Sequence, residues 1–161
     1  MHQKKLIMKN FKNKEVNKLE KDRKLQAPLV TKYMTKDLIT FTPGTDINDA
    51  IDTLLEKRIT GAPVLDNDGK VVGLIDDKDC LRVIFAGAYY NHPVGKETVG
   101  DYMSNVMKSI SVNDDLIHVA NIFVTSPFKR LLVMDDEGRL AGQISRRDVL
   151  RAIHDMHTNT W

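Results

Sequence analysis

The 161 residues are 42% hydrophobic and 29% charged, with 24 Lys/Arg against 22 Asp/Glu for a net charge of +2. This length suits one compact domain or two small, mutually packed ones, and no apolar run approaches the ~18 residues that span a bilayer. Leu6-Ile7-Met8 between lysines is too short for the apolar core of a secretory signal, and the single cysteine, Cys80, excludes an internal disulfide, so a reducing, cytoplasmic compartment is expected.

Charge is unevenly spread. Residues 1–27 hold nine Lys/Arg against three Asp/Glu, a net of +6, which leaves −4 for the remainder. Pro28 closes this stretch, because the residue before a proline is biased away from the helical region. Residues 1–28 therefore read as a basic N-terminal extension, helical or partly disordered. Its simplest role is a solvated arm. Contact with nucleic acid or a membrane surface is the sharper alternative and ranks below it.

From Val30 onward the chain repeats itself. Val30–Ile84 aligns with Val99–Ile153 at a constant offset of 69 without a gap, and 13 of the 55 aligned positions are identical, among them Tyr33/Tyr102, Met34/Met103, Gly73/Gly142 and Asp79/Asp148. A gapless register over that length indicates a tandem duplication. Two copies are too few for a solenoid, so they are expected to pack as a pseudo-symmetric pair.

Each copy predicts a short strand, a helix, a β-hairpin and a final helix. Ile39–Thr42 reads as the short extended piece of copy one. Asp46 and Asp115 stand where a carboxylate accepts from the free N–H groups of a helix start. After them, Ile47, Ala50, Ile51, Leu54 and Leu55, and likewise Leu116, Val119, Ala120, Phe123 and Val124, draw one buried stripe at helical spacing. Gly69 and Gly138 close two hairpins, supplying the positive φ of a tight turn. Leu81, Ile84 and Phe85 mark the last helix of copy one; Val149, Leu150 and Ile153 mark that of copy two. Residues 29–87 and 99–157 are thus the two motifs of a mixed α/β (α+β) fold, and 88–98 is the linker.

The polar junction Gly142-Gln143-Ile144-Ser145-Arg146-Arg147-Asp148 runs from a strand straight into a helix. Free N–H groups at that helix start favour an anion, although Ser145 and Asp148 also suit a plain helix cap. Little else suggests chemistry. His154 and His157 lack partners at metal-ligand spacing. Asp66-Asn67-Asp68-Gly69 matches only the beginning of a calcium loop. No Walker loop or nucleophilic triad is present. No catalytic residue, metal or catalytic cofactor is assigned, and an enzyme is not expected.

The repeated pattern resembles a tandem pair of CBS domains, a Bateman module, here expected to stand alone. Its carriers are Val30-x-x-Tyr33-Met34-Thr35, Arg58-Ile59-Thr60-Gly61-Ala62-Pro63-Val64, the Asp66–Gly69 turn, and Gly73-x-Ile75-x-x-x-Asp79 with its match Gly142-x-Ile144-Ser145-x-x-Asp148. The resemblance implies a regulatory module without catalytic activity. It would bind an adenosine-containing ligand (AMP, ADP or ATP, with S-adenosylmethionine or NAD as further members of the class) in two clefts between the copies. It further implies a homodimer and an unknown regulated protein. A dimerisation scaffold without ligand is the alternative.

Carried over by motif, cleft A combines Ser145 and Asp148 with Ile59, Thr60, Gly61 and Ala62; Asp37, Leu38 and Ile39 flank the adenine, Lys129 approaches the phosphate, and Arg130, Arg146 and Arg147 are nearby candidates for it. Asp148 would accept from both ribose hydroxyls and Ser145 would donate to the phosphate. Cleft B, the weaker one, combines Asp79 with Asn105, Val106, Met107 and Lys108, plus Phe128, Lys129 and Arg130. There Asp76 replaces the expected Ser/Thr. With Asp77 and Asp79 it places three carboxylates at one junction, a Coulomb cost to a phosphate of roughly 1–4 kcal/mol per close pair. Cleft B is therefore expected to be empty, or to take a ligand without a phosphate there or with a bridging cation, and Phe128-Lys129-Arg130 is expected to narrow it.

Overall fold

The computed structural model describes residues 27–90 and 97–158. The basic arm up to Gln26, most of the linker (91–96) and residues 159–161 lie outside the described residues.

A 3₁₀ turn at Val30–Lys32 opens copy one, followed by α1 (Ile47–Glu56), β1 (Gly61–Leu65), β2 (Val71–Asp76) and α2 (Asp77–Tyr90). Copy two follows with α3 (Val99–Tyr102), β3 (Ser109–Ser111), α4 (Leu116–Thr125), β4 (Arg130–Met134), β5 (Leu140–Ser145) and α5 (Arg146–Thr158). The element order repeats as the alignment predicts. Helix α2 runs through Tyr90, so the linker expected from residue 88 begins as helix.

The hairpins form as their turn residues dictate. Gly69 and Gly138 adopt φ of +78° and +76°. The carboxylates of Asp66 and Asp135 each accept from two N–H groups of their own turn, those of Asp68 and Lys70 and those of Glu137 and Arg139. Asp66–Gly69 is a hairpin turn. β1 pairs antiparallel with β2 and β4 with β5. β3 adds to β4 in parallel. The matching strand expected at Ile39–Thr42 is reduced to a single parallel bridge, Phe41 with Val64, held by Phe41 N–H to Pro63 O and Leu65 N–H to Phe41 O.

Asp46 caps α1 and Asp115 caps α4, each accepting a backbone N–H at 2.8 Å. Ile47, Ala50, Leu54, Leu116, Val119 and Phe123 are buried as the stripe predicts. Its last positions are not: Leu55 is 71% and Val124 85% exposed. The period of 3.6 carries the ninth residue, at i+8, past the buried face at the end of each helix.

Packing units and sequence repeats do not coincide. Val30 and Tyr33 of copy one sit in the core of copy two, and Val99 of copy two sits in the core of copy one. The exchange extends to the backbone. Leu116 N–H at the start of α4 donates to Pro28 O, and Ile47 N–H at the start of α1 donates to Glu97 O. Each helix thus satisfies an otherwise orphaned first N–H with a carbonyl preceding the other copy's leader turn. The two copies are one interlocked body.

Candidate functional site

Both strand-to-helix junctions are reciprocal capping boxes. At α5, Ser145 N–H donates to Asp148 Oδ2 at 2.8 Å, Ser145 Oγ bonds the same oxygen at 2.7 Å, and Asp148 N–H reaches Ser145 Oγ at 3.4 Å. Arg151 completes the group, donating to Asp148 Oδ1 at 2.7 Å and to Tyr33 O at 3.3 Å. The Tyr33 phenol is itself held above its ordinary pKa by burial and by Asp155. At α2, Asp79 N–H donates to Asp76 Oδ1 at 2.9 Å and Asp76 N–H to Asp79 Oδ2 at 3.2 Å. Asp79 is only 7% exposed. Burial first and the Asp76 charge second raise its carboxyl above the ordinary range. Burial, then the neighbouring Asp79 charge, also raises the thiol of Cys80, which packs against the core of copy one.

A cavity of about 320 Å³ opens at this second junction, between the copies. Of the residues expected in cleft B, Asp79, Val106, Phe128, Lys129 and Arg130 line it; Asn105, Met107 and Lys108 do not. Phe128 forms part of the wall and leaves the space open. The charge balance also departs from the expectation drawn from three carboxylates. Asp77 is not in the lining, whereas Lys78, Arg82, Lys129 and Arg130 join Asp76 and Asp79 there. Four cations against two carboxylates offset much of the expected repulsion of a phosphate. Lys78 and Arg82 were missed because the reading stopped at the motif; a turn of helix from Asp79 would have reached Arg82.

The repeat offset maps this lining onto the junction at the start of α5. Leu74, Asp76, Lys78, Asp79 and Arg82 map to Gln143, Ser145, Arg147, Asp148 and Arg151, and Phe128, Lys129 and Arg130 map to Ile59, Thr60 and Gly61. Val106 maps to Asp37. Seven of these, Asp37, Ile59, Thr60, Gly61, Ser145, Arg147 and Asp148, are residues named for cleft A; Gln143 and Arg151 are additions, and Leu38, Ile39, Ala62, Lys129 and Arg146 have no counterpart in the lining. Gln143 Oε1 is buried there without a hydrogen-bond partner among the described residues. Ala62 faces elsewhere: it is 1% exposed and belongs to the core of copy one, against which Ile39 and Ile59 also pack. Arg146 turns to Ser126 O at 3.4 Å, and Arg147, Asp37 and Lys129 are exposed. Leu38 is half-buried. Among the described residues, no group of three or more His, Cys, Asp or Glu is arranged to hold a metal ion. None of the helices described is long and apolar enough to cross a membrane.

The CBS domain family model matches this chain twice, over residues 30–86 and 99–155. CBSX1, a chloroplastic CBS domain-containing protein of Arabidopsis thaliana, is 33% identical over 148 residues, covering 76% of this chain and 63% of that protein. MJ1225 of Methanocaldococcus jannaschii is 30% identical over 124 residues, covering 77% of this chain and 42% of its own. The chain thus spans less than two thirds of either relative. Among solved structures, Arabidopsis CBSX2 in complex with AMP superposes with a TM-score of 0.70 at 30% identity, covering 80% of this chain and 98% of that one. The CBS domain pair of MJ0100, in complex with 5′-methylthioadenosine and S-adenosyl-L-methionine, superposes with a TM-score of 0.68 at 25% identity, covering 81% and 98%. With two matched segments spanning most of its length and the interlocked fold of such pairs, this chain belongs to the CBS domain family and carries two CBS domains in tandem.

Proposed function

We propose that this chain is a regulatory module that senses an adenine nucleotide (AMP, ADP or ATP) between its two CBS domains and relays occupancy to a partner protein. The observation that carries this reading is the open cavity between the copies at Asp79, whose lining the offset of 69 maps onto the junction of Ser145 and Asp148. The AMP complex of CBSX2, 30% identical, supports the ligand class.

Cleft A is the tighter position. Asp148 uses three of its roughly four lone-pair positions on Ser145 and Arg151. The Ser145–Asp148 contact can give way to a ribose hydroxyl on the carboxylate and a phosphate oxygen on Ser145. Thr60 and Gly61 form the opposite wall, and Arg147 and Arg151 supply positive charge. Cleft B is the weaker position, because Asp76 stands where cleft A has Ser145. The module acts without catalysis, as a homodimer built on the exposed apolar residues of α2 and α5, in a cytoplasmic setting. Its domains are bounded at 29–87 and 99–157, with 88–98 as the linker and residues 1–28 as the basic N-terminal extension.

A thermal-shift screen with AMP, ADP, ATP, S-adenosylmethionine and NAD tests the reading. A ligand at about 100 times its Kd adds about 2.7 kcal/mol to stability, a rise of several degrees for a chain of this size. No shift with any of them at millimolar concentration would favour the dimerisation scaffold over the nucleotide sensor.

A further inference from the structure

The offset of 69 that relates the copies pairs Gly61 with Arg130, and these two residues meet. The Arg130 guanidinium donates to Gly61 O at 2.7 Å and to Thr60 Oγ1 at 2.6 Å. The Arg130 side chain at the start of β4 therefore spans to the start of β1, and only one of the paired positions carries a side chain. Gly61 has no room for one: a Cβ there would stand 2.6 Å from Ile75 O and 2.9 Å from Asp76 Cα. A single arginine thus sits between two clefts related by the repeat.

Its placement reaches both. The Arg130 backbone lies opposite Ser145 in the β4–β5 register, beside cleft A. Its side chain contributes to the wall of the cavity at Asp79 and holds Thr60 and Gly61, the opposite wall of cleft A. Its two acceptors are neutral, a carbonyl and a hydroxyl. Burial penalises its charge, while Asp76 and Asp77 favour it through space. A guanidinium has five N–H donors, and a hydrogen bond to an anion is roughly twice as strong as one between neutral groups. A phosphate entering either side would out-compete Thr60 and Gly61 for this head group.

We infer that Arg130 is one cation shared by the two clefts, so that an anionic ligand bound in one withdraws it from the other and the pair binds its two ligands with negative coupling. This rests on the nucleotide reading above for the identity of the ligand, though not for the sharing itself.

Isothermal titration of the full chain with AMP should give two steps, the second weaker by about tenfold or more. Arg130→Met should weaken the first step and shrink the ratio of the two affinities, leaving only the difference set by Ser145 and Asp76. Arg130→Lys, which keeps the charge but cannot fork to both acceptors, should fall between. Should Arg130→Met fail to fold, Arg130→Lys alone must still shrink the ratio. Equal binding of two nucleotides to the wild type, or the wild-type ratio kept in both variants, overturns the inference. A second titration uses inorganic pyrophosphate, followed by the amide resonances of Thr60 and Gly61. They should shift in the wild type and not when Arg130 is replaced. If no nucleotide binds but this Arg130-dependent shift remains, the nucleotide reading fails and the shared cation stands; if pyrophosphate leaves both amides unmoved, the shared cation fails as well.

Discussion

Thr35 and Gln143 exchange two backbone hydrogen bonds, Thr35 N–H to Gln143 O at 2.8 Å and Gln143 N–H to Thr35 O at 3.0 Å, although they belong to different copies of the repeat. Leu74 and Ser104 make the mirror pair at 2.9 and 2.8 Å. These crossings explain why Gly73 and Gly142 recur: each lets the other copy's leader pass over the hairpin. A Cβ on Gly142 would meet Thr35 O, a backbone atom, at 2.6 Å, whereas on Gly73 the nearest atom is the movable Met103 Sδ at 2.7 Å. Gly142→Ala should therefore cost about 1–3 kcal/mol and Gly73→Ala less. Both should lower the urea midpoint of a single transition, since each core takes residues from the other copy. Equal losses would argue against the backbone clash.

Arg58 ends α1 with φ of +53°, the one described non-glycine residue with positive φ. Arg58 N–H bonds Leu55 O and Ile59 N–H bonds Leu54 O, a Schellman closure that favours glycine. Arg58→Gly should raise stability by about 0.5–1 kcal/mol in a urea titration. An unchanged or lower midpoint would mean that the arginine side chain offsets the strain.

Asp79 and Asp135 should move stability with pH in opposite senses. The Asp79 carboxyl is raised above 3.8 by burial and Asp76. Its penalty is absent where both states are protonated, below about pH 3.8, and grows as pH rises through the folded value. Asp135 is lowered below 3.8, chiefly by the backbone N–H of Arg139. Its contribution is full above about pH 3.8 and lost as pH falls through the folded value. Asp79→Asn should therefore stabilise at neutral pH, with the gain fading towards pH 3. Asp135→Asn should destabilise at neutral pH, with the loss shrinking on acidification. Urea midpoints between pH 3 and pH 7 decide both signs.

Asp148→Ala should abolish the tighter nucleotide step seen by calorimetry, while Asp79→Ala removes only the weaker. Ser145→Ala should cost about tenfold or more in affinity, the loss of a hydrogen bond to a charged group. The reverse pattern between the two aspartates would exchange the ranking of the clefts.

Ile84 is 67% and Leu150 65% exposed, one on each final helix, with Leu81 and Ile153 beside them at the equivalent positions. A homodimer closing over these faces would become monomeric on Ile84→Glu with Leu150→Glu, as read by sedimentation velocity, with helical circular dichroism retained. A double variant that keeps the wild-type sedimentation coefficient would place the dimer contact elsewhere.

Much of this was legible because it is local. The helical stripe of Ile47, Ala50 and Leu54, the caps Asp46 and Asp115, and the positive φ of Gly69 and Gly138 depend on residues within a turn of one another. The constant offset of 69 made the two clefts and their inequality at Ser145 and Asp76 readable as well. Leu55 and Val124 went astray because periodicity marks a face without saying where a neighbour ends. The Ile39–Thr42 strand shrank because a parallel partner needs a long-range pairing that only Phe41 makes.

By itself the amino-acid order determined that the chain is a duplicated α/β unit with a capping carboxylate at each strand-to-helix junction. It could not reveal that the copies trade their leading segments, because Val30 and Val99 are equally apolar in either core. Nor could it place Arg130 against Thr60 and Gly61, nor turn a junction of three carboxylates into a cavity where cations outnumber them. Those are decisions of packing. Charges far apart in sequence become neighbours only when the starts of two β-hairpins come within reach of one side chain, and glycine at position 61 leaves the space between them to a single arginine.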